Sequence, residues 1–277
     1  MKTTTKVAAI QMCSNTDVQH NLDMAYSLLK EAKSRKADLA VLPEMFWCMG
    51  APREFVLTQQ ETLGTGPLQD FLANTSKELE LWIVGGTIPI QSPNPHRAYA
   101  SCLVYSPKGT CVTHYHKIHL FDALVNASNN SLVTHRESDF FMPGERVVTE
   151  PTDLGKIGLA ICYDLRFPEL FQRLTQAGAE LFCLPSAFTV PTGEAHWHVL
   201  TRARAIENFS YMIAANQVGK HNEERSSYGH SLIISPFGEI LAEAVNNQPA
   251  VIIAEINLDE VHRHRLHIPV HQHRRLF

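Results

Sequence analysis

Short apolar runs alternate with segments of helical period along the whole chain. Val7 to Met12 is an apolar run of strand length, and behind it Leu22, Ala25, Leu28, Leu29 and Ala32 recur at helical spacing. Asn15, Thr16 and Asp17 stand ahead of that helix as candidate caps. Leu39 to Leu42 predicts a buried strand stopped by Pro43. Leu68, Phe71, Leu72, Thr75 and Leu79 predict a second helix, with Pro67 in its first turn, where a missing N–H does little harm. Leu81 to Thr87 predicts another strand. Tyr99 to Tyr105 and Cys111 to His116 flank Ser106-Pro107-Lys108-Gly109 as a hairpin.

The second half repeats the alternation. Strands are expected at Lys156 to Ile161, Leu181 to Leu184 and Tyr211 to Ala215, and helices at Pro168 to Gln176 and Glu194 to Asn208. Strands near Ser231 to Ser235 and Val251 to Ile256 are expected to bracket the turn Pro236-Phe237-Gly238. One long irregular piece, Phe121 to Gly144, contains Asn126-Ala127-Ser128-Asn129-Asn130-Ser131. A loop of that length in a compact domain is more often functional than accidental. Strands alternating with helices, plus hairpins, argue for an α/β protein with layered sheets. The pattern leaves open whether there is one sheet or two.

Composition narrows the class. A chain of 277 residues, 44% hydrophobic, buries roughly three-quarters of its unfolded surface and needs no disulfide or metal to hold its core. Length alone allows one large domain or two small ones, and neither an internal repeat nor a linker divides it. The net charge of −4 is spread over interspersed residues, without the basic stripe of a nucleic-acid binder. No apolar run approaches the roughly 18 residues of a membrane span. Met1 to Lys6 passes directly into the first strand pattern without a signal-peptide core. The six cysteines (13, 48, 102, 111, 162 and 183) are scattered with no CxxC pair, which suits reduced thiols in the cytoplasm.

Three chemically distinct groups follow the ends of strands. Glu44 follows Leu39 to Pro43, Lys117 follows the strand ending at His116, and Cys162 follows Ile157 to Ile161. Carboxyl ends of strands are the usual place for active sites in α/β sheets. A thiol at a strand-to-helix turn faces backbone N–H groups that can stabilise an oxyanion. A carboxylate such as Glu44 can deprotonate it, and Lys117 would favour the thiolate and the developing negative charge. Each residue alone has an ordinary reading: a loop glutamate, a surface lysine, a core thiol. Periodicity does not join the three.

Their local sequences do. Leu42-Pro43-Glu44, His116 to Asp122, and Ile161-Cys162-Tyr163-Asp164-Leu165-Arg166-Phe167-Pro168-Glu169-Leu170 resemble the nitrilase superfamily of carbon–nitrogen hydrolases, in that family's order and spacing, from about Lys6 to Arg275. The resemblance implies a four-layer αββα sandwich, one domain over 1–277, and a Glu–Lys–Cys triad carried over as Glu44, Lys117 and Cys162. It implies a second glutamate, Glu137, holding Lys117 and helping to orient substrate. It implies no metal and no organic cofactor, a small-molecule amide as substrate, and pairing into a homodimer, with no nucleic-acid or membrane partner.

Cys162-Tyr163-Asp164 followed by Arg166-Phe167-Pro168-Glu169 resembles the branch that holds omega-amidases and deaminated glutathione amidases, and Pro185-Ser186-Ala187-Phe188 and Ser227-Tyr228-Gly229-His230-Ser231 look more like the latter. His198 and His271 depart from the branch pattern. The implied reaction is hydrolysis of the terminal amide of a keto acid through a thioester on Cys162, with ammonia released. The alternatives are an omega-amidase acting on α-ketoglutaramate or another small amide, and a catalytically silent binding protein of the same fold. For a keto-acid substrate, Arg166 is the candidate carboxylate ligand, because guanidinium grips a carboxylate with two parallel bonds. Tyr163, Ser186, Phe188 and Thr189 are expected to line the same cleft. The C-terminal histidines (262, 264, 267, 271 and 273) are interspersed with arginines, which argues for a solvated or dimer-contacting tail over a metal site. Arg202, Arg204 and Glu207 read as structural ion-pairing residues on a helix.

Overall fold

The computed structural model describes residues 4–126, 132–223 and 225–275. Two sheets carry the architecture. In the first, the strands run in the order Ala250–Asn257, Thr4–Gln11, Leu39–Val41, Trp82–Val84, Ala98–Tyr105 and Ile88–Gln91, with Cys111–His116 and Phe141–Met142 also pairing on Ala98–Tyr105. In the second the order is Thr149–Thr152, Gly155–Leu159, Leu181–Ser186, Tyr211–Asn216, Leu232–Ile234 and Ile240–Glu243. Each sheet has three parallel strands: Thr4–Gln11, Leu39–Val41 and Trp82–Val84 in one, Gly155–Leu159, Leu181–Ser186 and Tyr211–Asn216 in the other.

Side-chain alternation explains the layering. Val7, Ala9, Leu39 and Val41 point into one core with Ile157, Leu159, Leu181 and Ile213 of the second sheet. Their neighbours Ala8, Ile10, Ala40 and Leu42 point the other way, onto Ala25 and Leu29 of helix Val18–Ser34 and Leu68 and Leu72 of helix Pro67–Glu78. Strands buried on both faces read as continuous apolar runs, which is why Val7 to Ile10 lacks a polar partner in its alternation. Helices Pro168–Gln176 and His198–Asn208 add Phe171, Leu174 and Ala205 to the second sheet. The result is the expected αββα sandwich.

The first helix is capped as its sequence suggested: the Asp17 side chain accepts from the His20 N–H. Three other expectations are corrected. The run from Leu81 breaks at Gly85-Gly86, so Trp82–Val84 and Ile88–Gln91 are separate strands. Gly86 has φ +56, and a Cβ there would sit 2.2 Å from the Pro43 carbonyl oxygen, so glycine lets the Glu44 loop pass. The stretch Phe121 to Gly144 is not irregular. Asp122–Asn126 and Leu132–Arg136 pair as antiparallel strands, followed by a 3-10 turn at Glu137–Asp139; residues 127–131, which include most of the Asn126 to Ser131 run, lie outside the described residues. The turn at Pro236 to Gly238 leads into Ile240–Glu243, whereas Ala250–Asn257 crosses to pair with Thr4–Gln11. The histidine-rich end is a helix, Leu258–His267, capped by Asn257, with His262 bonded to Glu180 at 2.6 Å.

The helix expected from Glu194 starts earlier, through Val190–Thr192 and a π-helical turn at Gly193–Trp197. On it, Arg204 pairs with Glu207 at 2.9 Å and donates from Nε to the Leu165 carbonyl, as a structural role requires. All six cysteines are free.

Candidate active site

The carboxyl ends of the parallel strands from both sheets open toward one cavity. Glu44 is reached through Leu42, whose N–H bonds the Val84 carbonyl at 2.9 Å, and through Met45, whose N–H bonds Thr87 Oγ1 at 2.9 Å. Gln217 Nε2 donates to the Glu44 carbonyl at 3.0 Å, which ties this loop to the second sheet. Lys117 leaves the strand Cys111–His116; its N–H bonds the Ala100 carbonyl and its own carbonyl accepts from Gly144 at 2.7 Å. That approach is close enough that a Cβ on Gly144 would meet the His116 carbonyl.

Cys162 stands at the start of a 3-10 turn, Cys162–Arg166, with φ +46. A non-glycine residue in the left-handed region is strained, and such strain persists where surrounding contacts over-determine it. Asp164 supplies those contacts. It is fully buried; Oδ2 accepts from the Ile161 N–H at 2.9 Å and the Tyr115 hydroxyl at 2.7 Å, and Oδ1 accepts from the His119 N–H and ring Nδ1. The His119 ring stacks on Phe167 at 3.6 Å. The cysteine turn and the lysine strand are therefore fastened together through one carboxylate.

Lys117 Nζ donates to Glu44 Oε1 at 2.8 Å and to both oxygens of Glu137 at 2.9 and 2.8 Å. Glu137 Oε2 also accepts from the Phe121 N–H at 2.6 Å, so the 3-10 turn after the hairpin is built around the ammonium. Burial works against the Lys117 charge, but the charges of Glu137 and Glu44 win and hold its pKa well above the ordinary value. Burial raises Glu137, with Lys117 opposing and Glu44 reinforcing. The Cys162 thiol is pushed well up by burial and by the Glu44 charge, against the pull of Lys117 and of the Ala187 N–H that faces the sulfur. Burial and the neighbouring Glu44 charge both favour the neutral thiol in the resting site.

The cavity beside these groups has a volume of about 250 Å³ and is bordered by Glu44, Lys117, Glu137, Cys162, Phe121 and Arg225. A narrower space continues from Cys162 between Tyr163, Arg166, Phe188 and Thr189. The Arg166 guanidinium lies over the Tyr163 ring at 5.8 Å and the Phe188 ring at 5.7 Å. Tyr163 makes an edge contact with Phe121.

Eight of the nine residues expected at the site, Thr189 among them, border this connected space. Ser186 does not. It is the last residue of its strand, fully buried, and its Oγ faces the Leu184 carbonyl at 3.5 Å. The next residue, Ala187, takes the place at the sulfur. Arg225 and His135 border both parts of the space and carry no motif in the sequence. Their signal is weak: one basic residue in a polar run, and one histidine in an exposed hairpin.

Among the described residues, one set of three metal-ligating side chains comes together, His198, His230 and Glu243, with ligand atoms within 4.8 Å. Glu243 Oε1 already accepts from His198 Nε2 at 2.9 Å and His230 Nδ1 at 2.7 Å, and none of the three borders the Cys162 cavity.

The sequence pattern of the carbon–nitrogen hydrolase family matches residues 6–265. The chain belongs to the carbon–nitrogen hydrolase family. Among relatives of this hydrolase, a Synechocystis sp. protein named deaminated glutathione amidase is 39% identical over 270 residues, which cover 96% of this chain and 97% of that one. The crystal structure of the C. elegans NitFhit protein superposes with a TM-score of 0.89 at 33% identity over 98% of this chain; the hydrolase chain spans 65% of that longer protein. Saccharomyces cerevisiae Nit3, described as a member of branch 10 of the nitrilase superfamily, gives a TM-score of 0.85 at 31% identity, covering 96% of this chain and 95% of that one. The four-layer sandwich of this carbon–nitrogen hydrolase is thus the architecture of its superfamily. Among the described residues, no helix is long and apolar enough to cross a membrane.

Proposed function

We propose that the chain is an amidase that cleaves deaminated glutathione through a thioester on Cys162. The observation that carries the reading is one cluster: Lys117 Nζ is held at 2.8 Å from Glu44, and both border the same cavity as the Cys162 thiol. A base, a cation and a nucleophile in one buried cluster are what acyl transfer through sulfur requires.

In the proposed sequence, Glu44 takes the thiol proton as Sγ attacks the amide carbonyl carbon. Negative charge moves onto the carbonyl oxygen, where Lys117 and the backbone N–H groups at the cysteine turn stabilise it. Glu44 then protonates the amide nitrogen, the C–N bond breaks, and the amine leaves a thioester on Cys162. Water, deprotonated by Glu44, attacks that thioester; the keto acid leaves and the thiol is restored. Glu137 neither gives nor takes a proton here. It fixes Lys117, while Arg166, with Tyr163, Phe188 and Thr189 around it, holds the keto-acid carboxylate.

The relative's name and the Arg166 site both support the keto-acid amide. One expectation needs correcting on chemical grounds. Ammonia is the product only of a primary amide such as α-ketoglutaramate. In deaminated glutathione the scissile amide joins the keto acid to cysteinylglycine, so the dipeptide amine leaves instead. The proposal places the reaction in the cytoplasm, which the free thiols suit. Two copies pair, in this reading, through the face where Val199 and Ile206 of one helix, Leu266 of another and Phe237 of the adjoining turn are exposed. The test is catalytic efficiency on deaminated glutathione against α-ketoglutaramate. Preference for the larger amide supports the reading, and preference for the smaller one replaces it with an omega-amidase.

A further inference from the structure

Deaminated glutathione carries two carboxylates, one on each side of the scissile amide. Arg166 can serve one of them. It lies four residues beyond Cys162, over the rings of Tyr163 and Phe188, and borders only the narrower part of the space. Arg225 comes from the small hairpin Val218–Lys220 and Ser226–Tyr228 that follows the strand Tyr211–Asn216. It precedes the strand Ser226–Tyr228, its N–H donates to Asn222 Oδ1 at 2.7 Å, and its carbonyl accepts from His221 at 2.9 Å. Asn222 is itself anchored to the Gly50 carbonyl at 3.0 Å. The backbone at Arg225 is therefore pinned, and its side chain borders both the narrow space and the cavity that holds Glu44 and Lys117.

Among the described residues, no carboxylate pairs with the Arg225 guanidinium. Its charge reaches His135 on the hairpin and His221, whose pKa values burial lowers first and the Arg225 charge lowers further. Phe121 and Phe188 complete the wall. A half-buried guanidinium with no counter-ion among the described residues, facing an aromatic-lined cavity, is a receptor for a planar anion.

We propose that Arg225 forms a second carboxylate subsite, which binds the C-terminal carboxylate of the departing dipeptide. This rests on the amidase reading above. The direction follows from Glu44, which delivers the proton to the leaving nitrogen: Glu44 borders the cavity that Arg225 shares and Arg166 does not. The acyl half extends toward Arg166 and the amine half toward Arg225. Selection for an amide with a carboxylate-bearing leaving group is then built into the part of the site that Glu44 and Arg225 share.

The test compares deaminated glutathione with the same compound carrying a C-terminal carboxamide, on wild type, Arg225→Gln and Arg225→Lys. In wild type the carboxamide should lower kcat/KM about 10- to 100-fold, the range of a charge-assisted hydrogen-bond pair. In Arg225→Gln that ratio should collapse toward one, with Arg225→Lys between. An Arg225→Gln enzyme that keeps the wild-type ratio overturns the assignment and leaves the amidase reading intact. A wild type that cleaves α-ketoglutaramate but not deaminated glutathione overturns both.

Discussion

The Tyr115 hydroxyl donates a 2.7 Å hydrogen bond to Asp164, joining the strand that presents Lys117 to the turn that presents Cys162. Both partners are buried, and Asp164 accepts three further bonds, from Ile161 and from two atoms of His119. A charge in this position is tolerated only because every contact is a donor. Asp164→Asn keeps the shape but turns an N–H₂ toward existing donors. It should cost about 2–4 kcal/mol of stability. Turnover should fall as well, because the strained φ of Cys162 loses its support. Thermal unfolding and kcat on one preparation check this, and an Asp164→Asn protein with wild-type values of both would refute the coupling.

Glu137 holds Lys117 with both oxygens, and a glutamine there would press N–H₂ against an ammonium. Lys117 would then shift from the position where the oxyanion forms. Glu137→Gln should lower kcat by about 10²–10³-fold, the usual effect of losing one oxyanion donor. KM should move much less, since the substrate carboxylates are bound elsewhere. Steady-state kinetics separate the two, and a rise in KM at constant kcat would assign Glu137 to ground-state binding.

His221 supplies a pH-dependent term in stability. Its ring lies 2.7 Å from the Ser14 carbonyl and 2.8 Å from Ser227 Oγ, so Nδ1 carries the proton and Nε2 accepts from the hydroxyl. Burial lowers its pKa to about 4; the Ser14 carbonyl opposes and the Arg225 charge adds to the depression. The unfolded chain takes up this proton first, near the ordinary histidine value. Stability is therefore full above about pH 6.5 and is lost as pH falls toward 4, by roughly 3 kcal/mol. Denaturant unfolding at pH 7.5 and 4.5 should show a smaller drop for His221→Asn than for wild type. Burial also lowers His116 to about 4, so it contributes in the same direction and survives in the variant. Equal drops in the two proteins would show that His221 does not carry this term.

How far the sequence led depended on what each residue faces. Helices Val18–Ser34 and Pro67–Glu78 were legible because one face of each is buried and the other wet. The hairpin after Phe121 was not, because its short strands carry no regular polar–apolar alternation and leave Leu124 and Leu132 exposed, so they bury no continuous stripe. The break at Gly85-Gly86 lay inside an apolar run that hid it. At the site, Glu44, Lys117 and Cys162 are far apart in the chain, and only their local motifs joined them. Ser186 misled because, as the last residue of a buried strand, it is itself fully buried with its Oγ turned back to the Leu184 carbonyl, while the next residue, Ala187, borders the space beside Cys162. Arg225 stayed invisible because a cation is singled out by lacking a partner in space, which no spacing along the chain records.

The thioester on Cys162 is the central claim, and intact-mass spectrometry of rapidly quenched enzyme with deaminated glutathione tests it most directly. Wild type should gain the mass of the keto-acyl group on Cys162 while releasing one equivalent of cysteinylglycine in the first turnover. Cys162→Ala should show neither adduct nor turnover. Turnover by Cys162→Ala near the wild-type rate, or a wild type that turns over with no adduct at any quench time and no burst, would contradict it.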